Sequence, residues 1–482
     1  MTSTSTDRRT HHQVTFAVLA TAVGAFALLQ SLVTPVLPTI QAGLHTSQNS
    51  VTWVLTGYLL SASIFTPIMG RLGDMLGKER MLVVSLAALA VGSLIAALAP
   101  SIGVMIAARV IQGIGGGVLP LAFGIIRDEF PKEKVSGAIG FLAALMAVGV
   151  GLGVVLAGPI VSALDYHWLF WLPMVIVIGA GIAAHLVIPE SPVRSPGRLS
   201  LGGAALMSGW LVALLVAISQ APAWGWLSLK VVTLLVTAVV LGVVWVVVES
   251  RSAQPLVDMQ MMRLPAVWRT NLVAFLFGIG MYATFAFLPE FLQTPSRAGY
   301  GFGASVTHSG LILLPSSVAM FAFGALSGRL SARFGPKAVL VAGSALSVIT
   351  FAMLAFTHAH IWQILVAMVV QGIGFGMAFA ALSNLVVSAV PSHQTGVASG
   401  MNANIRTIGG SIGAAVMSSI VTSGAHHQEL PAESGYTYGF ALLTVAAVAA
   451  TLAALLVPTV RRSPAAGSEQ PVQAEPDLVG SR

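Results

Sequence analysis

Fourteen apolar runs alternate with short polar segments along nearly the whole chain. We place them at 14–37, 51–70, 81–99, 102–126, 138–160, 168–188, 201–219, 229–247, 270–292, 307–328, 338–356, 361–390, 397–421 and 437–457. A helix needs about 20 residues to cross a hydrocarbon core of ~30 Å, so runs of this length predict transmembrane helices. The stretch from residue 14 is too long for a signal-peptide core, and the expectation is a first span that is retained. Met1 to Gln13 is polar, and residues 459–482, rich in Ala, Pro and Glu, read as a disordered tail.

The pattern repeats itself. Gly70-Arg71-Leu72-Gly73-Asp74-Met75-Leu76-Gly77-Lys78-Glu79-Arg80 returns 258 positions later as Gly328-Arg329-Leu330-Ser331-Ala332-Arg333-Phe334-Gly335-Pro336-Lys337. Gln112-Gly113-Ile114-Gly115-Gly116-Gly117 answers to Gln371-Gly372-Ile373-Gly374-Phe375-Gly376 at an offset of 259, and Pro131 to Pro391 at 260. Three matches in one order at nearly one spacing indicate an internal duplication. Spans 1–6 carry the first copy and spans 9–14 the second, so spans 7 and 8 are an insert. The expected fold is an all-α polytopic membrane protein, with two related six-helix bundles around two extra helices. Its segments are a cytoplasmic tail (1–13), an N-terminal bundle (14–190), a linker with the extra helices (191–269), a C-terminal bundle (270–458) and a cytoplasmic tail (459–482).

Composition agrees with a lipid-facing surface. Charged residues are 8% of 482 and apolar ones 56%, against roughly 25% and 45–50% in soluble domains. The net charge of +7 does not mark a nucleic-acid surface, because of where the bases fall. Arg8, Arg9, Lys78, Arg80, Lys132, Lys134, Arg194, Arg198, Arg251, Arg263, Arg333 and Lys337 all lie on the side of the termini. Only Lys230 and Arg297 fall near the opposite face, with Arg109 and Arg406 inside spans. By the positive-inside rule both termini are cytoplasmic in a cell membrane. Trp53, Trp168, Trp224, Trp226 and Trp362 fall near predicted outer ends, as an aromatic belt would. The chain has no cysteine, which removes disulfides, thiol catalysis and Cys-ligated metal. No HExxH, Walker loop or nucleophile–His–acid set is present, and His426-His427 gives too few ligands for a metal. The chain is therefore read as neither an enzyme nor a holder of metal or cofactor.

The loop from Gly70 to Arg80 resembles the signature between the second and third spans of the major facilitator superfamily. Ile106-Ala107-Ala108-Arg109-Val110-Ile111-Gln112-Gly113 is similar to its fourth-span signature. Trp53-x4-Tyr58 with Pro67 and Gly70, and Ser399-Gly400-x-Asn402-x3-Arg406-x2-Gly409-Gly410 in span 13, look like the fourteen-span drug:proton antiporters within it. Two departures stand out. Span 5 offers Gly153-Val154 and Ala157-Gly158, with Pro159 displaced, where such antiporters carry Gly-Pro and then Gly-Gly. Span 1 has Leu29 and Gln30 where drug exporters often hold an acid. The resemblance implies proton-coupled efflux of hydrophobic or cationic drugs by alternating access, acting as a monomer. The alternative is a facilitator or proton symporter of a small metabolite on the same fold.

Local chemistry nominates the working residues. Gly70, Gly73 and Gly77 allow a tight turn, with Arg71, Lys78 and Arg80 holding it in the cytosol. Asp74 can pair with those bases, or with the N-terminus of a helix from the other half, which would latch one conformation. Its counterpart is Ala332, so any latch is one-sided. Arg109 and Arg406 are charges deep in spans, where they are costly and mark function by default. Met368 is the counterpart of Arg109. For proton coupling the candidates are Arg109, Arg406, Glu290, whose apolar neighbours disfavour a charged carboxylate, and His308, which titrates near neutrality. Gln30, Thr34, Tyr58, Gln112, Tyr282, Asn402 and Asn404 are expected to line a central cavity, since polar groups avoid lipid. Gln112 and Gln371 can equally bond between helices. So little charge favours neutral, amphipathic or aromatic cargo over small ions.

Overall fold

The computed structural model describes residues 5–191, 200–422 and 431–458, with side chains from His12 onward. The side chains of Arg8 and Arg9, the linker residues Arg194 and Arg198, the His426-His427 pair and the 459–482 tail lie outside the described residues.

Among those residues the chain is helical throughout, with 14 helices long and apolar enough to cross a membrane. In the first half these are α1 (Ser5–Ser31), α2 (Gln48–Leu76), α3 (Lys78–Ala97), α4 (Ile102–Glu129), α5 (Lys132–Ala163) and α6 (Trp168–Val187). The insert supplies α7 (Leu201–Trp224) and α8 (Leu229–Arg251). The second half has α9 (Pro265–Gln293), α10 (Val306–Phe334), α11 (Pro336–Phe356), α12 (Ile361–Ala389), α13 (Thr395–Thr422) and α14 (Glu433–Leu456). A 3-10 turn, Ile114–Gly117, interrupts α4. The face on which α1 begins and α14 ends is called here the terminal face.

The first repeated motif is mostly helix rather than loop. α2 runs to Leu76, and Gly77 alone makes the turn, at φ +121°. Gly335 does the same between α10 and α11, at φ +84°. One glycine at positive φ can reverse the chain, so Gly70 and Gly73 are free for another task. At 29 residues, α2 is about 43 Å long by its helical rise. It is therefore longer than a ~30 Å core is thick.

The duplication is visible in the packing. In the first half α1 packs on α5 and α6, α4 on α2 and α3, and α3 on α6. In the second, α9 packs on α13 and α14, α12 on α10 and α11, and α11 on α14. The halves meet along two seams, α5 against α10 and α2 against α13. In lipid there is no hydrophobic drive between helices, so close packing must supply the adhesion. Both seams use small residues for it. A Cβ added to Gly70 or to Gly396 would overlap the backbone of the other, and one added to Gly328 would overlap that of Gly137. These two contacts are the same contact in the two copies. Along α5–α10 the series continues through Gly324 on Ala144, Gly151 on Ser317 and Gly310 on Val155.

The insert lies over the other seam. α7 packs on both α2 and α13, while α8 packs chiefly on α7. Trp226 Nε1 donates to Ser419 Oγ at 2.8 Å at one end, and Gln394 Nε2 to Asp258 Oδ2 at 3.1 Å at the other.

Replacing Gly328 by Val should wedge the α5–α10 seam and cost roughly 1–3 kcal/mol. Thermal unfolding in detergent reads this as a lowered Tm. Gly103→Ala, whose new methyl meets nothing within 4 Å, should leave Tm unchanged or raised. Equal Tm for the two variants contradicts the seam assignment.

Candidate functional site

The two halves share a cavity of about 70 Å³ near the middle of the spans. From the first half come Phe26, Gln30, Tyr58, Ser63, Thr66, Pro120 and Met146; from the second come Tyr282, Asn404, Arg406 and Thr407. Of the residues expected to line such a space, Gln30, Tyr58, Tyr282 and Asn404 do, joined by Arg406. Ligand pockets for drug-sized molecules measure about 300–1,000 Å³, so this conformation is closed around a few waters. Arg406 is buried beneath Phe379, its guanidinium carbon 4.4 Å from the ring centre, and it also borders a smaller void with Asn402 and Ser383.

Arg109 stands behind that wall, with no exposed surface. Its guanidinium lies 4.2 Å from the centre of the Tyr58 ring, Nε donates to the Val54 carbonyl at 3.3 Å, and Nη1 donates to Gln112 Oε1 at 2.7 Å. Gln112 Nε2 in turn donates to Ser93 Oγ at 2.9 Å. Gln112 is thus a bond between helices rather than a cavity residue. In the second half the Arg109 position is Met368, and Gln371 keeps both amide atoms buried without a partner.

The terminal face is closed below the cavity. Asp74, fully buried, accepts from Gly396 N at 3.3 Å and Val397 N at 3.2 Å, the first turn of α13. The seam glycines make this possible, because Gly70 and Gly396 bring the two backbones together. Arg127, at the end of α4, reinforces it. Its Nη2 donates to the Val390 carbonyl at 2.6 Å, and its Nη1 to Thr395 Oγ1 at 2.7 Å. On the other seam Asn384 Nδ2 donates to the Ser136 carbonyl at 3.3 Å, and Ala332 offers no acceptor side chain.

Lys78 corrects the sequence reading. It does not hold the turn against headgroups but is buried, with Nζ 2.6 Å from Asp128 Oδ2 and 3.8 Å from Asp74 Oδ1. Ser191 Oγ also donates to Asp128. A buried ammonium needs such partners, because desolvation otherwise outweighs any local gain. Arg80, by contrast, is exposed and pairs with Glu190 at 3.0 Å.

Besides Arg109 and Gln112, four nominated residues stand apart from the cavity. Thr34 is exposed in the 3-10 turn that follows α1. Asn402 turns toward α9, where its Nδ2 donates to Asn271 Oδ1 at 2.8 Å. Glu290, exposed near the end of α9, accepts from Tyr436 OH at 3.1 Å. His308 is exposed in the first turn of α10, where its backbone N–H donates to Ser305 Oγ. Glu290 and His308 lie on the face opposite the termini, and among the described residues no hydrogen bond joins them. The sequence reading missed Arg127. Its signal was a base in the last turn of a span, beside Asp128.

Residues 19–294 and 270–479 match the family model of the Major Facilitator Superfamily. The tetracenomycin C resistance and export protein of Streptomyces glaucescens is 28% identical over 412 residues, covering 84% of this chain and 76% of that one. Multidrug resistance protein 3 of Bacillus subtilis is 28% identical over 422 residues, 85% of this chain and 80% of its own. A multidrug resistance protein B homolog of Mycobacterium tuberculosis is 28% identical over 399 residues, 81% and 73%. Among solved structures, the human organic anion transporter MFSD10 superposes with a TM-score of 0.67 at 18% identity, covering 93% of this chain and 99% of that one.

Tyr58→Phe keeps the ring under Arg109 and should shift stability little. Tyr58→Ala removes a desolvated cation–π contact worth about 2 kcal/mol or more. The Tm of the purified variants in detergent checks the difference; two equal values would mean that the ring does not hold the guanidinium.

Proposed function

The chain belongs to the major facilitator superfamily, and we propose that within it this protein is a multidrug-type exporter driven by protons. The carrying observation is a cavity lined by both halves and sealed on one face by Asp74 at the start of α13. Such a seal can be undone without breaking either bundle, which is what alternating access between two rigid halves requires. The drug-resistance relatives support export as the direction. The basic residues on the terminal face support its assignment to the cytoplasm of the cell membrane, so that the conformation described is closed to the cytoplasm. The working unit is a monomer, since each half already supplies the other's wall.

In this reading Gly70, Arg71, Gly73, Asp74, Gly77, Lys78 and Arg80 form the latch. The drive acts on Asp74. Protonation cancels the attraction between a carboxylate and the positive end of α13, worth up to about 2 kcal/mol in buried geometry. That is roughly a tenfold or larger change in the ratio of closed to open states. Glu290 is a poorer candidate, being exposed and confined to the second half. Arg109 holds Tyr58 against the cavity and transmits its occupancy to α4 and α2.

Expression in a drug-susceptible host should lower intracellular accumulation of at least one hydrophobic antibiotic in a panel, and dissipating the proton gradient should abolish the effect. Asp74→Asn, which keeps an acceptor but not the charge, should cut efflux about tenfold, while Glu290→Gln should retain it. The reverse result would move proton coupling to Glu290. No change in accumulation across the panel would end the exporter reading.

A further inference from the structure

The charges around the cavity narrow the cargo. Arg406 is one of its walls, 8% exposed, and its Nε is buried without a hydrogen-bond partner. Asn404, 2% exposed, has both amide atoms unpartnered, and Gln30 Oε1 is unpartnered too. One layer back, Arg109 Nη2 is in the same condition. Among the described residues no carboxylate pairs with either arginine, and none lines the cavity. The buried carboxylates Asp74, Glu79 and Glu249, and Asp128 with its buried side chain, all lie toward the terminal face, engaged with backbone N–H groups, with His185, or with Lys78 and Ser191.

Two guanidinium groups deep in lipid without an internal counter-ion form an unusual arrangement. A buried cation is costly unless something neutralises it. Structural arginines meet that cost with a carboxylate or a full set of carbonyls, whereas these two rest on aromatic faces and keep donors free. The rest of the wall is aromatic and soft: Phe26, Tyr58, Tyr282 and Met146. A cationic drug would meet only positive charge here.

We infer that this cavity, widened when the contact between the halves opens, takes planar aromatic acids, compounds bearing a carboxylate or an acidic phenol, with Arg406 as the counter-ion and Asn404 and Gln30 as the polar contacts that orient them. The inference rests on the exporter reading and narrows its substrates away from the cationic drugs that the family resemblance implies. Tyr58 and Tyr282 supply the faces for the ring system, and Arg406 N–H groups meet the acid as charge-assisted hydrogen bonds.

Two xanthene dyes of opposite charge separate the possibilities: fluorescein, an acid, and rhodamine 6G, a cation of the same ring skeleton. The full-length protein in nanodiscs should bind fluorescein and raise its anisotropy, with rhodamine 6G at least about tenfold weaker. Arg406→Gln should weaken fluorescein at least about tenfold, and Arg406→Lys less. The Tm of each variant, measured alongside, shows whether a lost signal is lost folding; if Arg406→Gln unfolds, Arg406→Lys and Asn404→Ala carry the comparison. Sodium chloride titrated against sodium gluconate covers a simpler occupant. If chloride alone stabilises the protein and displaces fluorescein in the millimolar range, the arginines form a halide site and the inference falls. Preference for rhodamine 6G, or binding of neither dye, overturns it as well. The antibiotic panel then still decides the exporter reading on its own.

Discussion

Every seam between the halves depends on backbone meeting backbone. In a bilayer two helices gain nothing from hiding apolar surface from each other, because lipid is as apolar as they are. What remains is van der Waals contact at close range and the polar groups that close range exposes. Gly70 against Gly396 and Gly328 against Gly137 provide that range twice, at equivalent places. Only at such a distance can a side chain as short as Asp74 reach the first N–H groups of α13. The glycines are therefore the precondition of the ionic contact, and the Asp74–Ala332 difference then makes one seam charged and leaves the other a neutral contact of small residues.

Much of this was legible in the chain. Span number, duplication and the one-sidedness of Asp74 follow from run lengths and from aligning the copies, since lipid imposes a coarse and unforgiving pattern. The misreadings share a cause. Gly70 and Gly73 read as turn formers because a glycine advertises conformational freedom and close approach with the same letter. Lys78 read as a headgroup anchor because a base in a short connection usually is one; its burial depends on Asp128, fifty residues away, and Ser191. Thr34 and Asn402 are polar residues in spans whose azimuth no single sequence reveals. Arg127 was hidden for the same reason, its partners lying in the other half.

The insert makes sense as a cover. α7 bridges α2 and α13, the seam where Asp74 meets α13, and α8 shields α7 from the opposite side while leaving most of its own surface to lipid. Glu249, buried at the base of α8, accepts from Val257 N at 3.2 Å and lies within electrostatic reach of Arg71 in the first repeated motif. Asp258 follows, holding Gln394 just ahead of α13. The extra hairpin is thus tied to both sides of the same seam. Among the described residues the α5–α10 seam, packed glycine by glycine along its length, has no comparable cover.

The unpaired arginines also bear on what powers the cycle. A cell interior is electrically negative, and each unit charge moved through 100 mV of membrane potential is worth about 2.3 kcal/mol. Carrying an anion outward runs with that field. If the fixed cation of the cavity returns without its cargo, the same field favours its inward swing. Electrical potential alone would then support a concentration ratio of about fifty for a monovalent load. A carboxylate in place of Arg406 would leave that limit unchanged, because the net charge moved per cycle is the cargo's alone; it would instead repel the anion from its site.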